Sequence, residues 1–509
     1  MIVLWTSLFL LLFSALAIAL HKLWWTPLRI QKMMASQGIR GPPYKLFYGN
    51  TRAILQFKNE ASSRPLNYLS HDIFPRVQPH ISAWTRTYGA NYLGWYGPLP
   101  RLIVTEPELI KEVLNNKDKA FPKPATEGFL KKLLGDGLVT TEGEKWAKQR
   151  KLANYAFHGD SLKSMIPAMI DSVHMMLERW KNLHGDEIDV YQEFTLLTSE
   201  VISRTAFGSS YMEGRNIFEM LRKLTLIVSR NAFKIRFPGI SKLWKTNDEL
   251  ESEELENGIR DAVLEIIRKR EEKVKAGELD DLGNDFLGLL VKASHSDDES
   301  RRITITDLVD ECKTFYIAGH DTSNTMLTWT VFLLAIHPDW QDEARKEVLN
   351  VFGNQDPDPD GIAKLKTMGM IINESLRLYP PVVGIIREVG TKARLGKLVL
   401  PANIGLYIPN LKLHHDPQIW GNDVQLFKPE RFSEGVTKAT NNNLGAFIPF
   451  GLGPRTCVGF NFATMEAKIA LSMILQRYTF SLSPAYVHSP TQLLTTSPQR
   501  GVQVILHTL

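Results

Sequence analysis

Along most of the chain apolar residues recur with a period near 3.6, so the elements it predicts are mainly helices. Stretches of this kind cover residues 107–115, 161–184, 248–276, 338–352 and 462–477. Within 251–275, charges of opposite sign recur four apart, the mark of a solvated helix face rather than of a binding site. The longest pattern begins at Thr304, which forms a capping box with Asp307, and runs to His337, where Pro338 stops it. Its roughly 33 residues make a helix of about 50 Å, enough to cross a whole domain. In its middle stand Ala318-Gly319-His320-Asp321-Thr322-Ser323. A helical Gly costs about 1 kcal/mol relative to Ala, so packing or a ligand must require Gly319. Strand patterns are fewer: 102–105, 397–400, 405–409 and a C-terminal pair at 478–482 and 502–507. The fold class is mainly α with a minor β portion.

Ahead of this body, Ile2–Leu20 carries no charged residue. As a helix its roughly 19 residues span about 28 Å, close to a bilayer's hydrocarbon thickness. A cleaved signal peptide would instead show a basic start, a shorter apolar core and a small-residue cleavage site, none of which is clear. Basic residues follow the run at Lys22, Arg29, Lys32 and Arg40, with Trp24 and Trp25 at interface depth. The positive-inside rule then sets the N-terminus in the lumen and the body in the cytosol. Gly41-Pro42-Pro43 is a stiff punctuation mark, and 354–361 reads as a loop. The expected organisation is an anchor at 1–21, a basic spacer and Pro-rich hinge at 22–44, and one large domain at 45–509. A second membrane contact is expected in the apolar segment 233–243.

Composition narrows the function classes. With 44% hydrophobic and 23% charged residues the chain is globular, and its net charge of +5 over 509 residues is mild. No basic stripe interleaved with stacking aromatics points to nucleic acid. The only two cysteines, Cys312 and Cys457, exclude a disulfide scaffold and fit a reducing cytosol.

Cys457 closes Phe450-Gly451-Leu452-Gly453-Pro454-Arg455-Thr456-Cys457-Val458-Gly459. Two glycines permit a tight turn and close approach to a flat cofactor. A helix is expected just after Gly459, whose free N–H groups and dipole would favour a thiolate, and Arg455 can meet an anionic group. A phosphate loop and a buried structural cysteine are the competing readings. The former lacks a third Gly and a following Lys-Ser/Thr. The latter is the usual fate of a free Cys, and is how Cys312 reads.

Residues 450–459 resemble the haem-binding signature of the cytochrome P-450 superfamily. Further matches stand in family order: Trp146-x-x-x-Arg150, Ala318 to Ser323, Glu374-x-x-Arg377 and Pro429-Glu430-Arg431-Phe432. Gly41-Pro42-Pro43-Tyr44 and Glu311-Cys312-Lys313-Thr314-Phe315-Tyr316 are similar to the plant seventy-two clan. The resemblance implies a cytochrome P-450 fold holding haem b (iron protoporphyrin IX), with Cys457 as iron ligand. Arg455, Trp146, Arg150 and Phe450 are implied around the cofactor. Glu374, Arg377 and Arg431 form a structural trio, and Asp321 and Thr322 act where dioxygen is activated opposite Cys457. On the residues alone, Thr322 could simply back-bond within its helix.

The activity this resemblance implies is that of a haem-dependent monooxygenase of the endoplasmic reticulum membrane. It would put one atom of O2 into a lipophilic terpenoid, hormone, fatty acid or xenobiotic. Electrons would come from NADPH through a membrane flavoprotein, the NADPH–cytochrome reductase. A haem-thiolate isomerase or dehydratase acting on a peroxide is the alternative, against which Thr322 argues; a non-catalytic haem sensor is a third. Lys145, Lys148, Arg150 and Lys151 read either as solvated charge or as a dock for an acidic reductase. Expected substrate contacts are Phe121, Ala318, Val382, Val383 and Ile385, within walls at 121–128, 315–319, 381–386 and 495–500. His414 and His415 are adjacent, not spaced as metal ligands, and read as structural.

Overall fold

Helices dominate the computed structural model, which describes residues 2–66, 69–181, 183, 185–234, 245–299 and 302–509. The fold class is the expected one, mainly α with a small β portion. The N-terminal helix Ile2–Leu20 continues through a π-helical turn, His21–Trp25, into Thr26–Ser36. Nearly all its side chains, from Val3 at 77% to Leu20 at 55%, stand exposed, and by length and composition it could cross a membrane. The segment read as a spacer is tied to the body. Met34 is buried, Gln37 Nε2 donates to the Val399 carbonyl at 3.0 Å, and Val399 N–H donates to Gln37 Oε1 at 2.6 Å.

The long helix runs Ile305–Ile336 with the capping box in place: Thr304 Oγ1 accepts from Asp307 N–H and Asp307 Oδ2 accepts from Thr304 N–H. It is buried almost throughout and lies against Val190–Phe207. Gly319 makes that approach possible, since a Cβ there would sit 2.6 Å from Ile202 of the neighbouring helix. Its requirement is therefore packing. The charged helix, Asn247–Lys275, buries Leu255, Ile259, Val263 and Ile267 and turns pairs such as Arg268–Glu265 to solvent.

One expected helix is broken. Residues 161–184 form Gly159–Ser164 and Ile166–Trp180, because Pro167 has no N–H to continue the first ladder and suits the opening turn of the second. The last expected helix begins earlier, at Phe460, and ends at Leu475.

A four-stranded sheet has the order Tyr92–Tyr96, Leu99–Ile103, Gly405–Ile408, Ile385–Glu388; its middle pair is parallel and the outer pairs antiparallel. A three-stranded sheet joins Glu187–Asp189, Gln503–Thr508 and Tyr478–Leu482. Two cores result, a large helical one and a smaller one on the four-stranded sheet around Trp95, Leu102 and Leu406. Of the segment expected as a second membrane contact, 235–243 lies outside the described residues; Phe233 stacks on Tyr96 at 6.0 Å.

Candidate functional site

Between the long helix, the cysteine loop and strand Ile385–Glu388 lies a cavity of about 320 Å³. Cys457, Arg455, Phe450, Trp146, Arg150, Ala318, Gly319, Thr322, Val382 and Ile385 all line it. Residues scattered over more than 300 positions of sequence thus meet at one space.

The cysteine loop is built as its glycines require. Gly451 and Gly453 have φ of 78° and 76°, conformations that other residues strain to adopt. A Cβ on Gly453 would also meet the Leu114 carbonyl at 2.6 Å. The Cys457 N–H donates to the Phe450 carbonyl at 2.8 Å, closing the loop, and helix Phe460–Leu475 begins after Gly459. The electrostatics differ from the sequence expectation. Burial pushes the Cys457 thiol up, and the Gly459 amide and Arg150 offset this only in part. Helix-terminus donors alone do not make this thiol acidic.

The trio is present with one addition. Glu374 and Arg377, both fully buried, pair through two bonds of 2.7 Å. Arg377 also donates to the carbonyls of His414, Val424 and Leu426. Arg431 pairs with Glu374 as expected, Nε to Oε1 at 3.4 Å without a hydrogen bond, and its guanidinium also pairs with Asp423 at 2.8 Å. Arg431 and Lys428 hold the Asp423 carboxyl down at about 2. A chain of bonds links the trio to the cysteine loop. Arg377 holds the His414 carbonyl, Ile448 N–H donates to His414 Nε2, and Gly451 N–H donates to the Ile448 carbonyl. His414 is structural, as is His415, bonded to the Leu378 carbonyl.

On the long helix, Thr322 does both things the sequence left open. It lines the cavity, and its hydroxyl donates to the Ala318 carbonyl at 2.6 Å. Asp321 is not among the lining residues. Its carboxyl faces Thr495 and Tyr191, and burial pushes it up to about 6.

Two residues expected as substrate contacts are not at the cavity. Phe121 is packed in the sheet core and Val383 in the helical core. Val383 follows a cavity residue in extended chain, where neighbours point to opposite sides. From the walls at 121–128 only Lys123 reaches the cavity, and none from 495–500.

Sequence reasoning missed two cations there, Lys123 and Arg387. Burial and the nearby Arg387 and Arg455 lower Lys123 to about 7; burial and Arg455 lower Arg387 to about 10. Arg455 donates to Thr141 O at 2.8 Å, pairs with Glu142 at 2.6 Å and lies 4.5 Å over the Trp146 ring. The cavity lining therefore gathers Lys123, Arg150, Arg387 and Arg455, the last of them paired with Glu142. An Arg directly after the apolar Ile385-Ile386 was the one mark of Arg387 that the sequence carried. Of the basic cluster, Lys145 is paired with Asp307 at 2.5 Å and Lys148 donates to the Arg302 carbonyl at 3.1 Å.

A family model described as Cytochrome P450 matches residues 72–505. The chain is 60% identical over 491 residues to Cytochrome P450 CYP749A22 of Panax ginseng, covering 96% of this chain and 94% of that one. It is 44% identical over 506 residues to 11-oxo-beta-amyrin 30-oxidase of Glycyrrhiza uralensis, with 96% and 94% covered. To 7-deoxyloganic acid hydroxylase of Catharanthus roseus it is 42% identical over 497 residues, with 96% and 95% covered.

Proposed function

The chain belongs to the cytochrome P450 family, and from that premise we propose that it is a membrane-anchored haem-thiolate monooxygenase acting on a lipophilic, terpenoid-like substrate. The observation that carries the proposal is the donor set of the cavity. A thiol stands in the cysteine loop, and the lining carries four cations, one of them paired with a carboxylate, a charge surplus that suits the two propionates of haem b. When bound, the haem supplies the activation of O2, one atom entering the substrate and the other leaving as water.

The remaining work belongs to the chain's own residues. Cys457 is the iron ligand, its thiolate held by the cation it binds. Arg455, Arg150, Trp146, Lys123 and Arg387 hold the anionic edge, and Phe450 covers the loop side. The Glu374 trio keeps the loop in place through His414. Thr322 presents its hydroxyl oxygen as an acceptor at the cavity wall while its proton is held by the Ala318 carbonyl. Asp321, with Thr495 and Tyr191 beside it, holds a proton behind that wall. Leu138, Phe157, Ile202 and Phe315 keep water out and admit an apolar body. Ala318, Val382 and Ile385 are the substrate contacts. The names of the liquorice and periwinkle relatives, an oxidase of 11-oxo-beta-amyrin and a hydroxylase of 7-deoxyloganic acid, favour terpenoids among lipophilic classes.

The proposal includes an anchor at 1–21 in the endoplasmic reticulum, a spacer at 22–44 and a cytosolic catalytic unit at 45–509. NADPH–cytochrome reductase supplies electrons at the face carrying Lys151. The test is product formation in microsomes with a panel of terpenoids. Product should need both NADPH and O2 and carry one oxygen atom from isotopically labelled O2. Product formed from a peroxide with neither would establish the isomerase reading instead.

A further inference from the structure

Beyond the cavity, the long helix and helix Lys366–Leu378 converge on a buried group of aromatic and imidazole side chains that the oxidation chemistry does not use. Trp329 and Tyr379 are fully buried, and their rings stack at 4.4 Å and 16°. Both are one helical turn from the cavity. Met326, three residues before Trp329, and Leu376, three before Tyr379, line it, and three residues rise about 4.5 Å. The Tyr379 hydroxyl lies 2.8 Å from His71 Nδ1 and 3.3 Å from His488 Nε2, and the Tyr486 hydroxyl lies 2.8 Å from His488 Nδ1. Tyr486 is half-buried and is the most exposed ring of the group.

One assignment of protons fits the three contacts between these side chains: Tyr486 O–H donates to His488 Nδ1, His488 Nε2–H to Tyr379, and Tyr379 O–H to His71 Nδ1; the His488 ring also bonds the Ser70 backbone. It requires neutral imidazoles. Burial supplies them, lowering His71 to about 3 and His488 to about 4. His337 and His415 lie near, yet among the described residues no three such side chains are arranged to hold a metal ion. The Trp329 N–H donates to the Thr496 carbonyl at 2.6 Å, too weak a base to take the proton of an oxidised indole.

We propose that Trp329, Tyr379, His488 and Tyr486 form a relay that carries a stray oxidising equivalent from the cavity to the surface, protecting the protein when oxygen activation fails to reach substrate. The relay rests on the reading that the cavity holds haem. An oxidant in the cavity takes one electron from Trp329, leaving an indole cation that keeps its proton. Tyr379 refills it with one electron while its phenolic proton passes to His71. Tyr486 then gives an electron to the Tyr379 radical. The Tyr486 proton moves to His488 Nδ1, and His71 returns its proton to Tyr379, which is restored. A diffusible thiolate or ascorbate gives one electron to Tyr486, and His488 returns the proton to it. The sum is one electron passed from that reductant to the cavity, every proton ending on the atom it started from.

The experiment uses full-length, haem-loaded protein mixed with a peracid in place of O2 and reductase, freeze-quenched and read by electron paramagnetic resonance. The wild type should give a tyrosyl radical whose hyperfine pattern changes with ring-deuterated tyrosine. Tyr379→Phe should lose that signal, and Trp329→Phe should lower its yield. Tyr486→Phe should keep the signal but make it insensitive to added ascorbate. An unchanged radical in both Tyr379→Phe and Trp329→Phe, or none sensitive to deuteration, overturns the relay and leaves the group a structural core. Each variant's reduced carbon-monoxide spectrum is recorded first; a wild type without the thiolate band refutes the haem reading, not the relay. If Tyr379→Phe alone fails to load haem, the yield in Trp329→Phe decides.

Discussion

Replacing Glu374 by Gln keeps the shape of the trio and removes its charge. The carboxylate now accepts two bonds of 2.7 Å from Arg377 and one of 3.0 Å from the Lys428 N–H. An amide retains one acceptor and turns its own N–H2 toward a guanidinium N–H. At least one charge-assisted bond is lost, worth about 1.5–3 kcal/mol. The greater loss comes from the charge of Arg377, left without its counter-ion at a site with no solvent exposure. Breaking a buried pair in this way costs about 3–5 kcal/mol. The three carbonyls that still hold Arg377 favour the lower end, so about 3 kcal/mol is expected. A control stands in the same chain. Glu343 pairs with Lys346 at 2.8 Å, but the two side chains are 58% and 67% exposed. Glu343→Gln should cost no more than about 1 kcal/mol. Urea titrations of the haem-loaded proteins, followed by the carbon-monoxide thiolate band and by far-ultraviolet circular dichroism, measure both. Equal losses in the two variants would refute the view that the buried pair holds the cysteine loop.

Gly319→Ala gains about 1 kcal/mol of helix propensity but forces a methyl to within 2.6 Å of Ile202, an overpacking cost of about 1–3 kcal/mol. A net loss is expected, relieved in part by adding Ile202→Val, and thermal unfolding of the single and double variants checks it. Burial pushes both Glu311 and Glu466 up to about 8 from 4.5. Since the folded values lie above the unfolded ones, the stability from these protons is full below about pH 4.5 and lost as pH rises through about 8. The joint variant Glu311→Gln, Glu466→Gln should therefore flatten the fall in denaturant midpoint between about pH 5 and 8; an unchanged slope would contradict their buried, protonated state. Thr322→Ala should keep haem and divert NADPH-derived electrons to hydrogen peroxide, measured as peroxide formed per NADPH consumed; unchanged coupling would remove Thr322 from proton handling.

The parts legible in the sequence are those whose geometry is local. A capping box, a proline and apolar periodicity set the long helix to within a residue of Ile305–Ile336. Glycines at 451 and 453 mark a turn before any partner is known. The Glu374–Arg377 pair needs only one helical turn. Features that depend on distant chain stayed hidden. Arg387 and Lys123 become part of the site because a strand and a loop far from the motifs reach the cavity. Arg431 pairs with Glu374 as expected, but its second partner, Asp423, lies eight residues away in a loop that carries no such mark. Val383 was named with Val382 because neither carries a mark of which side it faces. The thiol of Cys457 was expected to be acidic from its place before a helix, yet the depth of the loop outweighs the dipole.

The central claim is that Cys457 is the iron ligand of a haem seated in this cavity. Cys457→Ser, compared with Cys312→Ser as a control for the fully buried second thiol, tests it through the reduced carbon-monoxide spectrum. The thiolate band should disappear in Cys457→Ser, with far-ultraviolet circular dichroism still helical, and persist in Cys312→Ser. A thiolate band retained by Cys457→Ser would contradict the claim.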